Sequence, residues 1–369
     1  MSDRILVATR KGLFDIRKGA QGWRIERTSF LGDPITAVLR DPRTGFVYAA
    51  QKHEQFGARL FRSMDDGSGF EACGTPAYPP KPEGEPDNEQ MGQRPVPWSL
   101  KTMWALEPGH ADQPGLLWCG TIPGGLFRSL DNGATWELVR SLWDHPLRKQ
   151  WFGGGAEFPG IHSICIHPQD PRRLAIAISC GGVWHSADLG ESWELHGQGL
   201  RAAYVPPEKA METIVQDPHL MVQCPAQPER VWIQHHNGIF RSDDSGKTFS
   251  EIKELGASTF GFAVAVHPTK PDTAWFVPAT KDEIRIPVGG RLSVTRTQDA
   301  GRTATQLTCG FPAEHTYDLV YRHALAIDST GTRLAFGSTT GGLWITEDGG
   351  DRWSELSSHL PPVYAVRFV

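Results

Sequence analysis

Short apolar runs with alternating polar neighbours recur along the chain, and the helical period of 3.6 residues is almost absent. "HSICIHP" followed by "RLAIAIS", and "GFAVAVHP" followed by "TAWFVP", each read as two short strands joined by a turn. A third strand follows a turn in "GGLFRS" (from Gly124), "GGVWHS" (Gly181), "NGIFRS" (Asn237) and "GGLWIT" (Gly341), with looser forms at Ala58 and Gly290. With the strand that comes next, the unit has four strands, A to D from the inside outwards. "PPEKAMETIVQ", from Pro206, is the best candidate for a short helix.

An eight-residue motif stands in the turn from C to D. Its six copies are "SMDDGSGF" (Ser63), "SLDNGATW" (Ser129), "SADLGESW" (Ser186), "SDDSGKTF" (Ser242), "TQDAGRTA" (Thr297) and "TEDGGDRW" (Thr346). The aspartate can accept hydrogen bonds from backbone N–H groups of the loop. The glycine supplies a positive φ, and the last aromatic can pack against a neighbouring sheet. "TQDAGRTA" lacks that aromatic, so its anchor is expected to be weaker. A spacing of roughly 50–65 residues suits propeller blades or a solenoid.

The count of units is seven, one more than the count of motifs. "RILVATR", "GLFDIR" and "WRIER" at the N-terminus are a B, C and D without an A, and "VYAVRFV" at the C-terminus is an A alone. Residues 364–369 are therefore expected to pair with 4–9. That pairing closes residues 1–369 into an all-β, seven-bladed propeller of four-stranded blades with no exposed sheet edge at the seam.

Composition agrees. Glycine (40), proline (28) and tryptophan (13) are plentiful among 369 residues, as many short strands and tight turns require. A net charge of −5 without a run of one sign argues against a nucleic-acid or membrane partner. No stretch is apolar and long enough to span a bilayer. "MSDRILVATRKG" lacks the apolar segment of a signal peptide, so a cytoplasmic location is expected. Cys73, Cys119, Cys165, Cys180, Cys224 and Cys309 form no CxxC pair and read as mostly buried thiols of a reducing compartment.

The eight-residue motif resembles the Asp-box, or bacterial-neuraminidase repeat, of sialidases, some other glycosidases and non-enzymatic propellers. The resemblance covers essentially the whole chain and implies the fold, because the box is structural. Sialidases are six-bladed and use an arginine triad for a carboxylate, a Tyr/Glu nucleophile pair, an aspartate acid and an Arg-Ile-Pro motif near the N-terminus. Here "RIP" stands at Arg285–Pro287, in a late unit, and the other features match poorly. The chain is similar to the broad sialidase-like group rather than to a working sialidase.

In such a propeller the D-to-A and B-to-C loops share one face, and the repeated motifs lie on the other. The long connections 73–101, 140–160, 196–218, 308–321 (D-to-A) and 278–290 (B-to-C) all fall on the first face, as functional loops do. The proline-rich 73–101 segment reads as a lid, an arm or a surface excursion. The "GGG" at 153–155 reads as a flexible loop. His167 and His267 fall in A-to-B turns and read as structural. His53, His162, His219, His235, His236 and His323 are placed at the mouth of the central channel.

Imidazoles from several blades can hold a divalent transition metal such as zinc, manganese or iron. Carboxylates available as ligands, orienting groups or general bases are Glu54, Glu212, Asp217 and Asp282. Arg10, Lys52, Lys101, Lys281, Arg285 and Arg322 can hold an anionic group. Trp104, Trp143, Trp151, Phe152, Tyr204 and Tyr321 can stack on a sugar or serve packing. Neither a G-x-S-x-G elbow nor a phosphate-binding G-x-x-x-x-G-K-[ST] loop occurs.

The leading expectation is a hydrolase or lyase for a small anionic or sugar-like ligand. In it His162, His219, His235, His236 and His323 are the metal-ligand candidates, Arg285 or Arg322 orients an anionic group, and Asp217 or Glu212 handles a proton. A metal-free glycosidase using two carboxylates, and a non-catalytic propeller binding a protein or glycan, remain as alternatives.

Overall fold

The computed structural model describes residues 1–85, 95–154 and 156–369. Residues 86–94 of the long 73–101 connection, and Gly155 of the triple glycine, lie outside the described residues. The fold is a seven-bladed β-propeller of four-stranded antiparallel sheets, with almost no helix. Six sheets take their strands in chain order, within 35–72, 102–138, 161–196, 218–252, 261–307 and 325–357. The seventh joins the chain ends in the order Val363–Phe368, Arg4–Thr9, Gly12–Gly19 and Gly22–Ser29.

By internal contacts the chain divides into two compact units. One comprises Met1–Val38, Val222–Ser245 and Phe249–Val369; the other comprises Leu39–Met221 and Gly246–Thr248.

The first unit contains the closing sheet, as the unmatched terminal strands predict. Ile5 pairs with Phe368, Val7 with Val366 and Thr9 with Val363. Val363, Ala365 and Val366 are buried, and both valines belong to a core with Ile5, Val7, Phe336, Leu343 and Trp353. Burial of the two valines alone contributes roughly 3–6 kcal/mol, comparable to a domain's net stability. Next to the seam Arg4 grips Asp15 with two hydrogen bonds of 2.9 Å, so the buried carboxylate has its countercharge.

The second unit has a core of its own around Trp118, Trp151, Ile161, Ile176, Ile178 and Trp184. The described ends of the 73–101 connection are anchored there. The Tyr78 hydroxyl bonds the Pro123 carbonyl at 2.7 Å, Trp98 packs edge-on against Trp143, and Glu85 pairs with Lys149 at 2.9 Å.

All six copies of the motif form the expected turn. In Ser129–Trp136 the serine hydroxyl donates to Asp131 (2.8 Å) and accepts the Gly133 N–H (2.8 Å), while Asp131 accepts the Thr135 N–H (2.8 Å) and hydroxyl (2.6 Å). Thr297–Ala304 repeats this with Asp299, Gly301 and Thr303. Those hydrogen bonds, first from the Thr303 hydroxyl, lower the Asp299 carboxyl to about 2. The glycine has the expected positive φ, but so does the residue before it: Asp66, Asn132, Leu189, Ser245, Ala300 or Gly349. Trp193, Phe249 and Trp353 end their motifs buried, whereas Ala304 is exposed.

The helix expected after Pro206 is replaced by two three-residue 3-10 turns, Pro207–Lys209 and Thr213–Val215. The Gln216 side chain donates to the Ala210 and Glu212 carbonyls, which a continuous helix would have used for its backbone. Among the described residues no helix is long and apolar enough to cross a membrane. The six cysteines are thiols, with Cys119, Cys180 and Cys224 buried.

Candidate functional site

In the second unit, Asp217 is brought together with His219, Ser179 and Cys180, and His162 stands on a neighbouring strand. His162 is the second residue of the strand Ile161–Ile166 and is 1% exposed. Its Nδ1 lies 2.9 Å from the Ser163 hydroxyl, and its ring meets Trp104 edge to face. Asp217 and His219 flank Pro218, at the start of the strand Pro218–Cys224, and each is 2% exposed. Asp217 Oδ1 accepts the Ser179 hydroxyl at 3.2 Å and the Cys180 N–H at 3.3 Å. Asp217 Oδ2 lies 3.7 Å from His219 Nε2.

That last distance is long for a hydrogen bond. It is close to the separation of two ligands on one tetrahedral cation, about 3.3–3.6 Å for bonds of 2.0–2.2 Å. A buried carboxylate beside an imidazole is also the donor set that zinc, manganese or iron accepts. The residues therefore fit a divalent cation.

Tyr204 stands nearby. Burial first, then the neighbouring Cys180 and Asp217, push its phenol above the ordinary value, and it donates to the Val215 carbonyl at 2.5 Å. Glu212 is exposed and sits at the head of the Thr213–Val215 turn. His53 accepts the Gln55 and Phe56 N–H groups through Nδ1, which is a turn-capping role. Of the aromatics named from sequence, Trp143, Trp151 and Phe152 are buried, while Trp104 and Tyr204 are half-buried.

In the first unit, the segment 278–290 and the turn at Arg322 bring a different set together. Arg285 binds the Asp282 carboxylate through Nε (3.0 Å) and Nη2 (2.5 Å). Burial alone would lower its guanidinium, but Asp282, and after it Tyr321, hold it above the ordinary value. The guanidinium groups of Arg285 and Arg322 stand 5.3 and 5.5 Å from the Phe262 ring, which also packs on Tyr321. His236 Nε2 lies 3.9 Å from Asp282 Oδ2. His235 is fully buried, with Nδ1 accepting the Asn237 N–H and its ring against Phe240. His323 is half-buried in the Arg322–Ala324 turn. His267 accepts the Thr269 and Lys270 N–H groups, and His167 the Gln169 N–H, so both cap turns.

Sequence reasoning missed Ser179, Cys180, Gly154 and Phe262. Ser179 and Cys180 end "AIAISCGG" as ordinary turn residues, and only their distance to Asp217 sets them apart. The triple glycine, expected to be a flexible loop, has Gly153 and Gly154 closely packed: a Cβ on Gly153 would meet the Ala156 and Glu157 carbonyl oxygens at 2.5 Å.

No protein-family description matches the sequence, and no curated protein matches it either. Solved structures do resemble it. A GH74 xyloglucanase from Xanthomonas campestris is 19% identical, with a TM-score of 0.64 over 96% of this chain and 52% of its own. An ancestral GH74 enzyme is 15% identical, with a TM-score of 0.58 over 88% of this chain and 38% of its own. A 6-phosphogluconolactonase-like protein from Bacteroides fragilis is 10% identical, with a TM-score of 0.58 over 99% of this chain and 97% of its own. The chain thus spans about half or less of the two GH74 enzymes, and the likeness is one of fold.

Proposed function

We propose that this chain is a sialidase-like Asp-box propeller with hydrolase or lyase activity on a small anionic or sugar-like ligand, assisted by a divalent cation. The observation that carries the reading is the buried Asp217–His219 pair at 3.7 Å. Asp217 and His219 would hold the cation, which when bound would supply Lewis acidity to the ligand or to water. Ser179 and the Cys180 N–H orient the carboxylate, as groups behind metal ligands do. Tyr204, kept protonated by its surroundings, is a hydrogen-bond donor rather than a nucleophile. Arg285 and Arg322, on Phe262, are the groups suited to an anionic ligand.

The GH74 and lactonase-like names among the structural neighbours are compatible with a hydrolase and a carbohydrate ligand. The scattered spacing of the six cysteines, with no CxxC pair, is the ground for proposing a reducing compartment such as the cytoplasm.

Elemental analysis of the purified chain tests the reading. About one equivalent of a transition metal is expected, lost in Asp217→Ala and His219→Ala proteins that still melt cooperatively. His162→Ala tests whether the cation needs that imidazole as well. A chain that takes up no metal after reconstitution with zinc, manganese or iron would overturn the metal-assisted mechanism and favour a metal-free glycosidase.

A further inference from the structure

A carboxylate that is to hold a cation must be fixed in place. The two oxygens of Asp217 have different surroundings. Oδ1 takes the Ser179 hydroxyl and the Cys180 N–H, and Oδ2 faces His219. Cys180 reaches this position with a φ of 49°, a conformation that non-glycine residues seldom adopt. Gly154 stands beside the same carboxylate. A Cβ on Gly154 would stand 2.8 Å from the Cys180 Sγ, 3.1 Å from Asp217 Oδ2 and 3.4 Å from the Ser179 hydroxyl. Gly154 is not in the left-handed region, so backbone freedom does not call for glycine here; space does.

Building on the metal reading above, we infer that Gly154, Ser179 and Cys180 form a positioning cradle for Asp217. Ser179 and the Cys180 amide fix Oδ1, and the missing side chain at Gly154 keeps Oδ2 in register with His219. A methyl group at position 154 has to displace the thiol or the carboxylate, because a contact of 2.8 Å to sulfur is shorter than packed atoms allow. The three residues act through Asp217 and need not touch the ligand.

The test uses the full chain and Co2+ alone, whose visible absorption reports both occupancy and ligand geometry. Gly154→Ala is expected to weaken Co2+ binding about tenfold and to change the spectrum, with the melting temperature almost unchanged. Adding Cys180→Ala to Gly154→Ala should restore most of the affinity, since the crowded sulfur is gone. Ser179→Ala should lose about tenfold, and Ser179→Thr, which keeps the hydroxyl, should rescue it.

Wild-type affinity and spectrum in Gly154→Ala would overturn the cradle and leave the metal reading standing. If Gly154→Ala does not fold, equal affinity in Ser179→Ala and Ser179→Thr overturns it instead. A wild-type chain that binds no Co2+ overturns both.

Discussion

Asp217 and Asp318 both lie in connections ahead of a strand, Pro218–Cys224 and Leu325–Ile327, and end up with different surroundings. Each accepts a hydroxyl from the serine that follows a second strand: Ser179 after Leu174–Ile178, and Ser338 after Leu334–Gly337. Asp318 Oδ1 is bonded at 2.6 Å by both Ser338 and Thr340, and the residue is half-buried. Asp217 has longer bonds to one hydroxyl and one amide, is almost fully buried, and turns its second oxygen to a histidine. A partly solvated carboxylate held by two hydroxyls ties a turn together. A buried one facing an imidazole is screened less by water, so its neighbours act on it more strongly. The two carboxylates thus differ in burial and in the group that faces the second oxygen.

The largest expected effect would break this comparison outright. Deleting residues 363–369 removes the closing strand and its buried valines from the unit that holds Asp318. Cooperative thermal unfolding should be lost, as calorimetry would show; an unchanged transition would mean that the seam is dispensable.

A sharper test exchanges each carboxylate for its amide. Asp217→Asn should cost about 100-fold in Co2+ affinity, while Asp318→Asn leaves affinity within twofold and lowers the melting temperature by a few degrees. Equal Co2+ losses in the two variants would remove the distinction between a site carboxylate and a turn carboxylate.

The smallest effect concerns the repeated turn and is a matter of pH. Asp299 is lowered in the folded chain from 3.8 to about 2, so its contribution is fully present above its unfolded value and fades as pH falls from about 4 towards 2. The melting difference between wild type and Asp299→Asn should therefore be constant near neutrality and shrink across that acid range. A difference that grows on acidification would contradict the hydrogen-bonded turn.

Much of this molecule was legible from its residues. Alternation marked the strands, the S/T-x-D-x-G spacing marked the turns, and an unmatched strand at each terminus marked the seam that Val363–Phe368 and Arg4–Thr9 form. Local chemistry carried those inferences because each contact lies within one hairpin or follows from counting strands. Where the reading went astray, a distant or unexpected partner intervened. The Gln216 amide took carbonyls from the expected helix after Pro206.

The amino-acid sequence by itself determined the repeating four-stranded unit, the geometry of the six turns and the closure between the ends. Periodicity, glycine and short-range hydrogen bonding act over a few residues and can be read there. Only the tertiary structure decided which carboxylate is buried, that it meets Ser179 and Cys180 from 37 or 38 residues away, and that Gly154 leaves the space beside it clear. Burial and distance-dependent electrostatics arise from packing between segments, and nothing in the order of residues along one strand encodes them.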